Sequence, residues 1–368
     1  MRLIFDGHLD LAMNALGYER DQCQPVERIR AHEVKARNDG RETPTASLEA
    51  MRRGGTAACV ATVIARTKPV KPERGVMRCD LDYPTQDMAH AAAKGQLAYY
   101  EALERRGVVT IIKTAKQLTS HWLQWEADEA SASIAVIITM EGADPLIEPD
   151  EVHQWWQQGL RSLMLAHFGP SAYAFGTPCN DEKGSAQEGP LTDKGRRLLI
   201  ELADLGMPLD LTHLCDTSFF EAHDAYDGPV CASHSNCRAR VPGARQLSDE
   251  QLRLIIERDG VIGIALCNSM LRPGDKQTLG HQQVGLDAIA EHIDHICQLA
   301  GDATHAAIGS DLDGGFGIEW TPREIDTIAD LHRLGDELTR HGYSDGDIKS
   351  VLHGNWLRFY CQALPDER

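Results

Sequence analysis

The sequence lacks the features of a membrane protein and of a nucleic-acid-binding protein. No run reaches the ~18 apolar residues that a membrane-spanning helix needs. The 37 Lys and Arg residues are outnumbered by 55 Asp and Glu, and no basic stretch offsets the net charge of −18, so nucleic acid is not an expected partner. The first residues lead directly into a strand-like run without the apolar segment of a signal peptide, so we expect a cytoplasmic protein with no membrane partner.

Motifs for common cofactors and nucleophiles are also missing. No G-x-G-x-x-G follows the first strand-like run, which argues against a dinucleotide fold, and there is neither a P-loop nor a G-x-S-x-G nucleophile elbow. The ten cysteines include no C-x-x-C, and half of them lie in apolar runs. This pattern is typical of buried thiols in a reducing compartment, with a cysteine-rich zinc site as the alternative.

Apolar runs alternate with helix-like segments along almost the whole chain. Repeated β-then-α units favour a parallel sheet, and eight units favour a closed α/β fold, a single (β/α)8 TIM barrel of the metal-dependent hydrolase type, over an open doubly wound sheet. The run Val108–Ile112 is a candidate for a ninth, short strand. The eight strand candidates are Leu3–Gly7, Ala57–Ile64, Ile134–Met140, Ser162–Ala166, Pro208–Thr212, Val230–Ser233, Val261–Leu266 and Ala306–Ser310.

The helix-like segments begin and end with capping residues. Thr192/Asp193 and Ser248 are predicted N-caps, and Gly206 and Gly260 are predicted C-caps. Because no linker or repeat interrupts the pattern, we expect one catalytic domain over residues 1–368. Irregular stretches at residues 65–83 and 168–191 are predicted to be long βα loops that form walls of a pocket. The helix candidates are Pro84–Arg106, Asp193–Leu205, Ser248–Arg258 and Leu286–Ala300.

Metal-binding side chains follow six of the eight predicted strands. The first strand ends in an H-x-D pair whose two side chains share one face, because strand residues two apart point the same way. A histidine near a strand end is more often a core residue than a ligand, but the C-terminal strand ends of a barrel all meet at one mouth, where these groups would converge. The residues are His8 and Asp10, Glu141, His167, His213, His234 and Asp311.

The number of these groups predicts two metal ions. Four histidines and three carboxylates exceed the needs of one tetrahedral zinc, and Glu141 is the natural bridge because its strand lies between the other ligand groups. Two ions roughly 3.5–4 Å apart would hold a hydroxide and polarise a carbonyl, which is the machinery of a hydrolase.

The ordered set of motifs resembles the renal (membrane) dipeptidase family of the amidohydrolase superfamily, in a bacterial-type cytosolic form. The likeness covers nearly the whole chain, and its specificity comes from the order of the pieces. They are Asp6-Gly7-His8-Leu9-Asp10, Met140-Glu141-Gly142, Gly206-Met207-Pro208-Leu209-Asp210-Leu211-Thr212-His213, Ser233-His234-Ser235, Gly309-Ser310-Asp311-Leu312-Asp313-Gly314 and Gly354-Asn355-Trp356-Leu357-Arg358.

The resemblance implies a role for each metal-binding residue. His8 and Asp10 would hold one Zn²⁺, His213 and His234 would hold a second, and Glu141 would bridge the two. Asp311 would act as the proton shuttle, taking a proton from the bridging water and delivering it to the leaving amine, and it would also bind the free α-amine of a dipeptide.

The resemblance also implies two further substrate contacts. His167 would stabilise the tetrahedral oxyanion. Arg245 would bind the substrate's C-terminal carboxylate, with Arg238 and Arg240 as alternatives, since a bidentate guanidinium suits that task.

The function implied is a zinc-dependent dipeptidase for small dipeptides, plausibly including L-Xaa-D-Xaa. Alternatives are a binuclear amidohydrolase acting on another amide, such as an N-acyl amino acid, or on a lactone, and a non-catalytic metal-binding barrel. One departure is Cys267-Asn268 after the seventh strand, where relatives can use a tyrosine for the substrate carboxylate. Members of the family are often dimers, so a homodimer is one of the assemblies that the resemblance allows.

Overall fold

The computed structural model describes residues 2–34, 43–68, 81–127, 133–178, 187–274 and 278–366. Within these ranges, eight strands of a parallel sheet coincide with the eight strand candidates of the sequence. They are β1 (Ile4–Leu9), β2 (Thr56–Val63), β3 (Ile134–Met140), β4 (Leu160–Met164), β5 (Leu209–Asp210), β6 (Val230–Cys231), β7 (Ile262–Ile264) and β8 (Ala306–Ile308).

These strands close into a barrel. Strands β1 to β6 pair as parallel neighbours in chain order. A parallel bridge between Ala232 and Ile262 continues the sheet from β6 to β7, which pairs with β8. The backbone N–H of Asp311 donates to the carbonyl of His8 at 3.2 Å and joins β8 back to β1. The predicted (β/α)8 fold is therefore confirmed.

Shorter strands lie beside the barrel. The spare run of the sequence forms the strand Val109–Ile111, which pairs in parallel with the first half of β3. At the rim, Arg66–Thr67 pairs in parallel with Asp82–Tyr83, and we call these two segments the rim strands. The rim strands lie within the predicted loop of residues 65–83, and Arg66 from this pair lines the site described below.

Helices connect the strands, and several have the predicted limits. Thr192 and Ser248 cap the helices Asp193–Leu205 and Asp249–Glu257 through their side-chain oxygens, and Gly206 ends the first of these in the left-handed region. The described α-helices are Leu11–Tyr18, Val26–Glu33, Leu48–Arg53, Gln86–Arg105, Ala115–Ala127, Val152–Gln158, Asp193–Leu205, Asp216–Ala225, Asp249–Glu257, Asn268–Leu271, Leu286–Ala300, Leu334–Arg340, Asp345–Lys349 and Asn355–Ala363. Turns of 3₁₀-helix lie at Pro149–Glu151, Ile318–Trp320 and Ile328–Arg333, and Ser350–Gly354 is π-helical.

Gly260 is not the C-cap that the sequence predicted. The helix ends at Glu257 with Arg258 as its C-cap, and Asp259 takes the left-handed conformation with φ 54°. Gly260 follows, with its N–H bonded to the carbonyl of Ile255 at 2.9 Å. A Cβ at Gly260 would lie 2.5 Å from the carbonyl oxygen of Val230, so the glycine permits close contact with β6.

The strand ends differ from the predicted ones for a physical reason. β1 continues to Leu9 instead of Gly7, whereas β5 ends at Asp210 instead of Thr212. The Asp210 carboxylate accepts the N–H groups of Thr212 and Ser233, both at 3.0 Å. A side chain thus replaces the strand pairing at the point where the chain turns toward the barrel mouth.

The core is formed by strands buried on both faces, as parallel sheets require. β1, β2, β3 and β4 are buried along their whole length. Cys59, Cys215 and Cys231 are buried free thiols, as the apolar-run pattern predicted, whereas Cys267 and Cys297, from the same pattern, are only partly buried. Within the described ranges, no helix combines the length and apolar character needed to cross a bilayer. Parts of the two predicted loop walls, residues 69–80 and 179–186, lie outside the described residues.

Candidate metal centre

The predicted site residues converge at the mouth of the barrel. Glu141 directly follows β3, and His167, His213, His234 and Asp311 each stand three residues after the ends of β4, β5, β6 and β8. All five line one cavity of ≈ 540 Å³. Their positions just after the strand ends place five side chains from different strands around a single space, as expected at the C-terminal face of a barrel.

The first group of donor atoms surrounds His8, which is fully buried below the cavity floor. Its Nε2 lies 3.4 Å from Glu141 Oε2 and 3.9 Å from the Oδ1 atoms of both Asp10 and Asp311. The hydroxyl of Thr62 donates to Asp10 Oδ1 and orients that carboxylate. One imidazole and three carboxylates therefore face each other without an intervening side chain.

The second group of donor atoms lies on the other side of Glu141. His213 Nε2 and His234 Nε2 are 3.1 Å apart, and they stand 3.4 Å and 3.6 Å from Glu141 Oε1. His167 Nε2 lies 3.4 Å from the same oxygen. Glu141 thus points one carboxylate oxygen at His8 and the other at the His213–His234 pair, which is the arrangement of a bridging ligand.

Two buried aspartates that the sequence analysis did not select hold these side chains in place. Asp6 accepts the N–H groups of Ser310 at 2.8 Å and His8 at 3.2 Å, and so ties β1 to the end of β8. Asp210 does the same between the ends of β5 and β6. Each aspartate precedes a site histidine by two or three residues. This spacing is the signal in the sequence that could have identified them.

Backbone strain is concentrated at the site. His213 and Asp311 have φ values of 68° and 56°, in the left-handed region that side-chain-bearing residues rarely adopt. Such conformations cost on the order of 1–3 kcal/mol and persist only where the surroundings enforce them. Both residues are turned toward the cavity at the cost of local backbone energy.

The acidic groups and imidazoles of the site are buried close together, which shifts their pKa values. Burial and the charge of Glu141 raise the pKa of Asp10 to about 7, and burial raises the pKa of Glu141 to about 7. Burial raises the pKa of Asp311 well above its usual range. Burial, reinforced by the positive charge of Arg245, lowers the pKa of His213 well below its usual range. A bound metal ion would add positive charge that favours the ionised carboxylates and keeps the imidazoles neutral.

Unpartnered buried atoms show that the residues fit metal ions. His8 Nε2 and Glu141 Oε2 are fully buried and make no hydrogen bond within the described part of the chain. A buried polar atom without a partner costs ~1–3 kcal/mol, which metal coordination would offset. Neutral imidazoles and carboxylates are donors that zinc and similar divalent ions prefer. The groups with suitable mutual distances are His8–His234–Asp311, Glu141–His167–His213 and His8–Asp10–Glu141.

The three candidate arginines differ in their partners and in whether they line the cavity. Arg238 forms a bidentate ion pair with Asp216, at 2.7 Å and 2.6 Å. Arg240 pairs with Glu291, away from the cavity lining. Arg245 lines the cavity, where it donates to the carbonyl oxygen of His234 at 2.9 Å.

The described parts of the predicted loop walls do line the cavity. Arg66 and Leu81 come from the first loop, and Phe168 comes from the second. Leu81 joins Met13 and Ile64 in a small apolar cluster on one wall. Arg66 was not selected from the sequence, since an arginine inside a long loop carries no distinguishing pattern.

Comparisons with known proteins support one family. The sequence pattern of the membrane dipeptidase family, peptidase family M19, matches residues 2–364. A Klebsiella pneumoniae protein described as uncharacterized, from the region 5′ of pqqA, is 32% identical over 228 residues, 61% of this chain and 80% of that protein. Rat dipeptidase 3 is 25% identical over 64% of this chain, which is 46% of its own length, so the chain spans about half of that relative.

A solved structure matches over nearly the whole length. A metallo peptidase from Rhodobacter sphaeroides, liganded with a phosphinate mimic of the dipeptide L-Ala-D-Ala, is 27% identical, with a TM-score of 0.77 over 98% of this chain and 99% of that one. The fold, the metal-binding clusters and the family pattern all agree with the resemblance seen in the motifs. The chain belongs to the membrane dipeptidase family, peptidase family M19, and is a hydrolase of the metallopeptidase class.

Proposed function

We propose that this protein is a dinuclear zinc dipeptidase that acts as a single catalytic domain. The observation that carries the proposal is the position of Glu141, whose two oxygens lie 3.4 Å from His8 Nε2 and 3.4 Å from His213 Nε2. One zinc would be held by His8, Asp10 and Glu141, and the other by Glu141, His213 and His234. The two ions would supply an activated water and polarise the scissile carbonyl.

Asp311 is the proposed carrier of the proton. It lines the cavity with a side chain that is 14% exposed, and its Oδ1 lies 3.9 Å from His8 Nε2. It therefore reaches both the donor atoms of the site and the space where a substrate amine would stand. Asp311 takes a proton from the attacking water and gives it to the leaving nitrogen, which needs that proton to depart as an amine.

Two hydrogen-bond donors, a charged guanidinium and a neutral imidazole, would orient the substrate. Arg245 faces the cavity beside His234 and is proposed to bind the C-terminal carboxylate of the dipeptide. His167 also lines the cavity, with its Nε2 3.4 Å from Glu141 Oε1, and is proposed to hydrogen-bond the oxygen that becomes negative as the carbonyl is attacked.

The proposed substrates are small dipeptides, including L-Xaa-D-Xaa. Support comes from the Rhodobacter sphaeroides protein, whose bound ligand mimics L-Ala-D-Ala. The apolar cluster of Met13, Ile64 and Leu81 offers a wall for a substrate side chain. This wall lies next to β1 and β2, whereas Arg245 follows β6 on the opposite side of the barrel.

The test combines turnover with metal content on the same sample. Zinc-loaded protein is assayed against L-Xaa-L-Xaa and L-Xaa-D-Xaa dipeptides, N-acyl amino acids and lactones, and zinc is counted by elemental analysis. We expect dipeptide hydrolysis with about two zinc ions per chain. A His213→Ala variant serves as the control and should lose both zinc and turnover.

Two outcomes would contradict the proposal. Two zinc ions with turnover of N-acyl amino acids but not dipeptides would establish the alternative amidohydrolase function. One zinc ion per chain with full dipeptide turnover would retain the substrate and refute the dinuclear site.

A further inference from the structure

The four site histidines differ in what their second ring nitrogen contacts. In a neutral imidazole one nitrogen carries the proton and the other carries a lone pair, so the partner of Nδ1 decides whether Nε2 binds a metal or donates a hydrogen bond. All four Nε2 atoms lie within reach of Glu141, and distance alone does not separate ligands from non-ligands.

Three of the histidines have hydroxyl groups beside Nδ1. Ser233 Oγ lies 2.9 Å from His234 Nδ1 and 3.3 Å from His8 Nδ1. Thr177 Oγ1 lies 3.1 Å from His213 Nδ1. A hydroxyl can accept an N–H, so these contacts allow each ring to carry its proton on Nδ1 and to leave the Nε2 lone pair available to a metal.

The fourth histidine has a guanidinium there instead. Arg66 Nη1 lies 2.9 Å from His167 Nδ1. A guanidinium has only N–H donors and does not deprotonate in proteins, so His167 Nδ1 must accept with its lone pair. The ring proton is then on Nε2, which lies 3.4 Å from Glu141 Oε1, and His167 itself lines the cavity.

A carboxylate fixes the arginine in turn. Arg66 Nε donates to Asp82 Oδ1 at 2.7 Å, and the two residues lie directly opposite each other in the paired rim strands. The side chains of Arg66 and Asp82 are only 16% and 12% exposed, so water competes weakly for this contact. The chain Asp82–Arg66–His167 thus runs from the barrel rim to the metal centre.

We propose that Arg66, held by Asp82, is a positioning residue that fixes His167 as the Nε2–H tautomer. This excludes His167 from metal coordination, although its distances would permit it, and makes it a hydrogen-bond donor aimed into the cavity. The structural part of the proposal concerns the tautomer alone, and its catalytic consequence rests on the proposed dipeptidase function.

The direct test is nitrogen NMR of the histidine side chains in the zinc-loaded protein labelled with ¹⁵N-histidine. The His167 signals are assigned by their absence in His167→Gln. We expect a proton on Nε2 of His167 in the wild type and in Arg66→Lys, whose ammonium also only donates. Arg66→Met, which has similar length and no donor, should shift the proton to Nδ1 or mix the two tautomers, and Asp82→Asn should do so in part.

Kinetics supply the second readout. Loss of an oxyanion donor costs ~10²–10³ in kcat, so Arg66→Met should lower kcat by roughly 10- to 100-fold with little change in KM, and Arg66→Lys should recover part of it. Arg196→Met, which removes an exposed arginine paired with Glu221, is the matched control and should leave both constants unchanged.

The outcomes separate this inference from the proposed function. A proton on Nδ1 of wild-type His167, or an unchanged tautomer in both Arg66→Met and Asp82→Asn, overturns the inference even if dipeptides are hydrolysed. The expected tautomer in a protein that does not cleave dipeptides supports the inference and refutes the proposed substrate.

Discussion

At the scale of single residues, the site depends on groups whose two polar atoms face different partners. Glu141 divides its oxygens between His8 and the His213–His234 pair. His213 places Nδ1 beside the Thr177 hydroxyl and Nε2 beside Glu141. Substitutions that keep the shape of such a side chain but change one atom therefore separate positioning from chemistry.

Asp311→Asn is expected to keep metal and fold but lose turnover. Asparagine has the same shape and tolerates the left-handed conformation that Asp311 adopts, but it cannot carry a proton between water and amine. We expect a fall of about 10²–10⁴ in kcat with zinc content unchanged. Steady-state kinetics and elemental analysis test this, with exposed Asp336→Asn as the control. Near-normal kcat would remove Asp311 from the proton pathway.

Arg245→Lys is expected to raise KM more than it lowers kcat. A lysine keeps the charge but loses the planar fork that binds a carboxylate through two hydrogen bonds. We expect KM for dipeptides to rise about tenfold, because charged hydrogen bonds contribute ~1.5–3 kcal/mol, and a dipeptide amide to be affected less. Arg238→Lys, at the ion pair with Asp216, serves as the comparison. An equal KM in both variants would place carboxylate binding elsewhere.

At the scale of strands and helices, the barrel mouth is shaped by close backbone contacts. Gly309 follows β8, and a Cβ there would lie 1.7 Å from the carbonyl oxygen of Ser233, directly before His234. A Cβ at Gly263, in β7, would lie 1.9 Å from the same oxygen. These two glycines let β7 and β8 approach β6 closely enough for His234 to reach the site.

Gly309→Ala is therefore expected to destabilise the protein and weaken the metal site. The added methyl group forces β8 away from Ser233, and we expect the free energy of unfolding to fall by more than ~3 kcal/mol. Urea unfolding and zinc titration measure the two effects. Gly95→Ala is the matched control, since a Cβ there meets nothing within 4 Å on the exposed face of the helix Gln86–Arg105. That change should stabilise by up to ~1 kcal/mol. Equal stability of both variants would contradict the close-contact argument.

A buried histidine on the helix Leu286–Ala300 predicts loss of stability in acid. His292 accepts the N–H of Cys237 through Nδ1 at 3.1 Å and faces the carbonyl of Leu271 with Nε2, and burial lowers its pKa from 6.5 to about 4. Between pH 6.5 and about 4 the unfolded chain binds a proton that the folded one does not, so stability present above pH 6.5 is lost as the pH falls.

Urea unfolding between pH 7.5 and 4.5 measures this linkage. A pKa difference of this size corresponds to roughly 3 kcal/mol, at ~1.4 kcal/mol per pH unit. His292→Gln should show a shallower dependence of the free energy of unfolding on pH, whereas substitution of the exposed His32 by glutamine serves as the control. The same slope in wild type and His292→Gln would assign the acid sensitivity to other groups.

At the scale of the whole molecule, the metal centre joins strands that are far apart in the chain. Its proposed ligands come from β1 and from the segments after β3, β5 and β6, so bound metal stabilises the closed barrel as well as the site. Without metal, burial disfavours the ionised forms of Asp10, Glu141 and Asp311, and this cost opposes folding.

Removal of metal by a chelator is expected to lower Tm and to be reversed by added zinc. Ligand at 100 times its Kd stabilises by ~2.7 kcal/mol, so a tightly bound pair should shift Tm by several degrees or more. Calorimetry with metal counted on each sample tests this. Glu141→Gln, which removes the charge of the bridge, should reduce the difference between the two forms. An unchanged Tm after verified metal removal would show that the site is not structurally coupled to the barrel.

Much of this protein was determined by local pattern in the sequence. Buried parallel strands require apolar runs, and helix ends require caps such as Thr192 and Ser248. The strands and the helix ends can therefore be predicted from the local sequence. The placement of His8, Glu141, His213 and His234 after strands indicated the site, because parallel strand ends share one edge. Gly260 was misassigned because its role is a contact with Val230, which is distant in the chain.

Only the tertiary structure decided which of several similar side chains meet. Three arginines fitted the carboxylate role by sequence, and the ion pairs with Asp216 and Glu291 engage two of them. Arg66 acquires its relation to His167 from the rim strands, across 101 positions of chain. Sequence by itself specified the elements and the kinds of ligand, because these depend on neighbours in the chain; partner choice depends on distances that only folding creates.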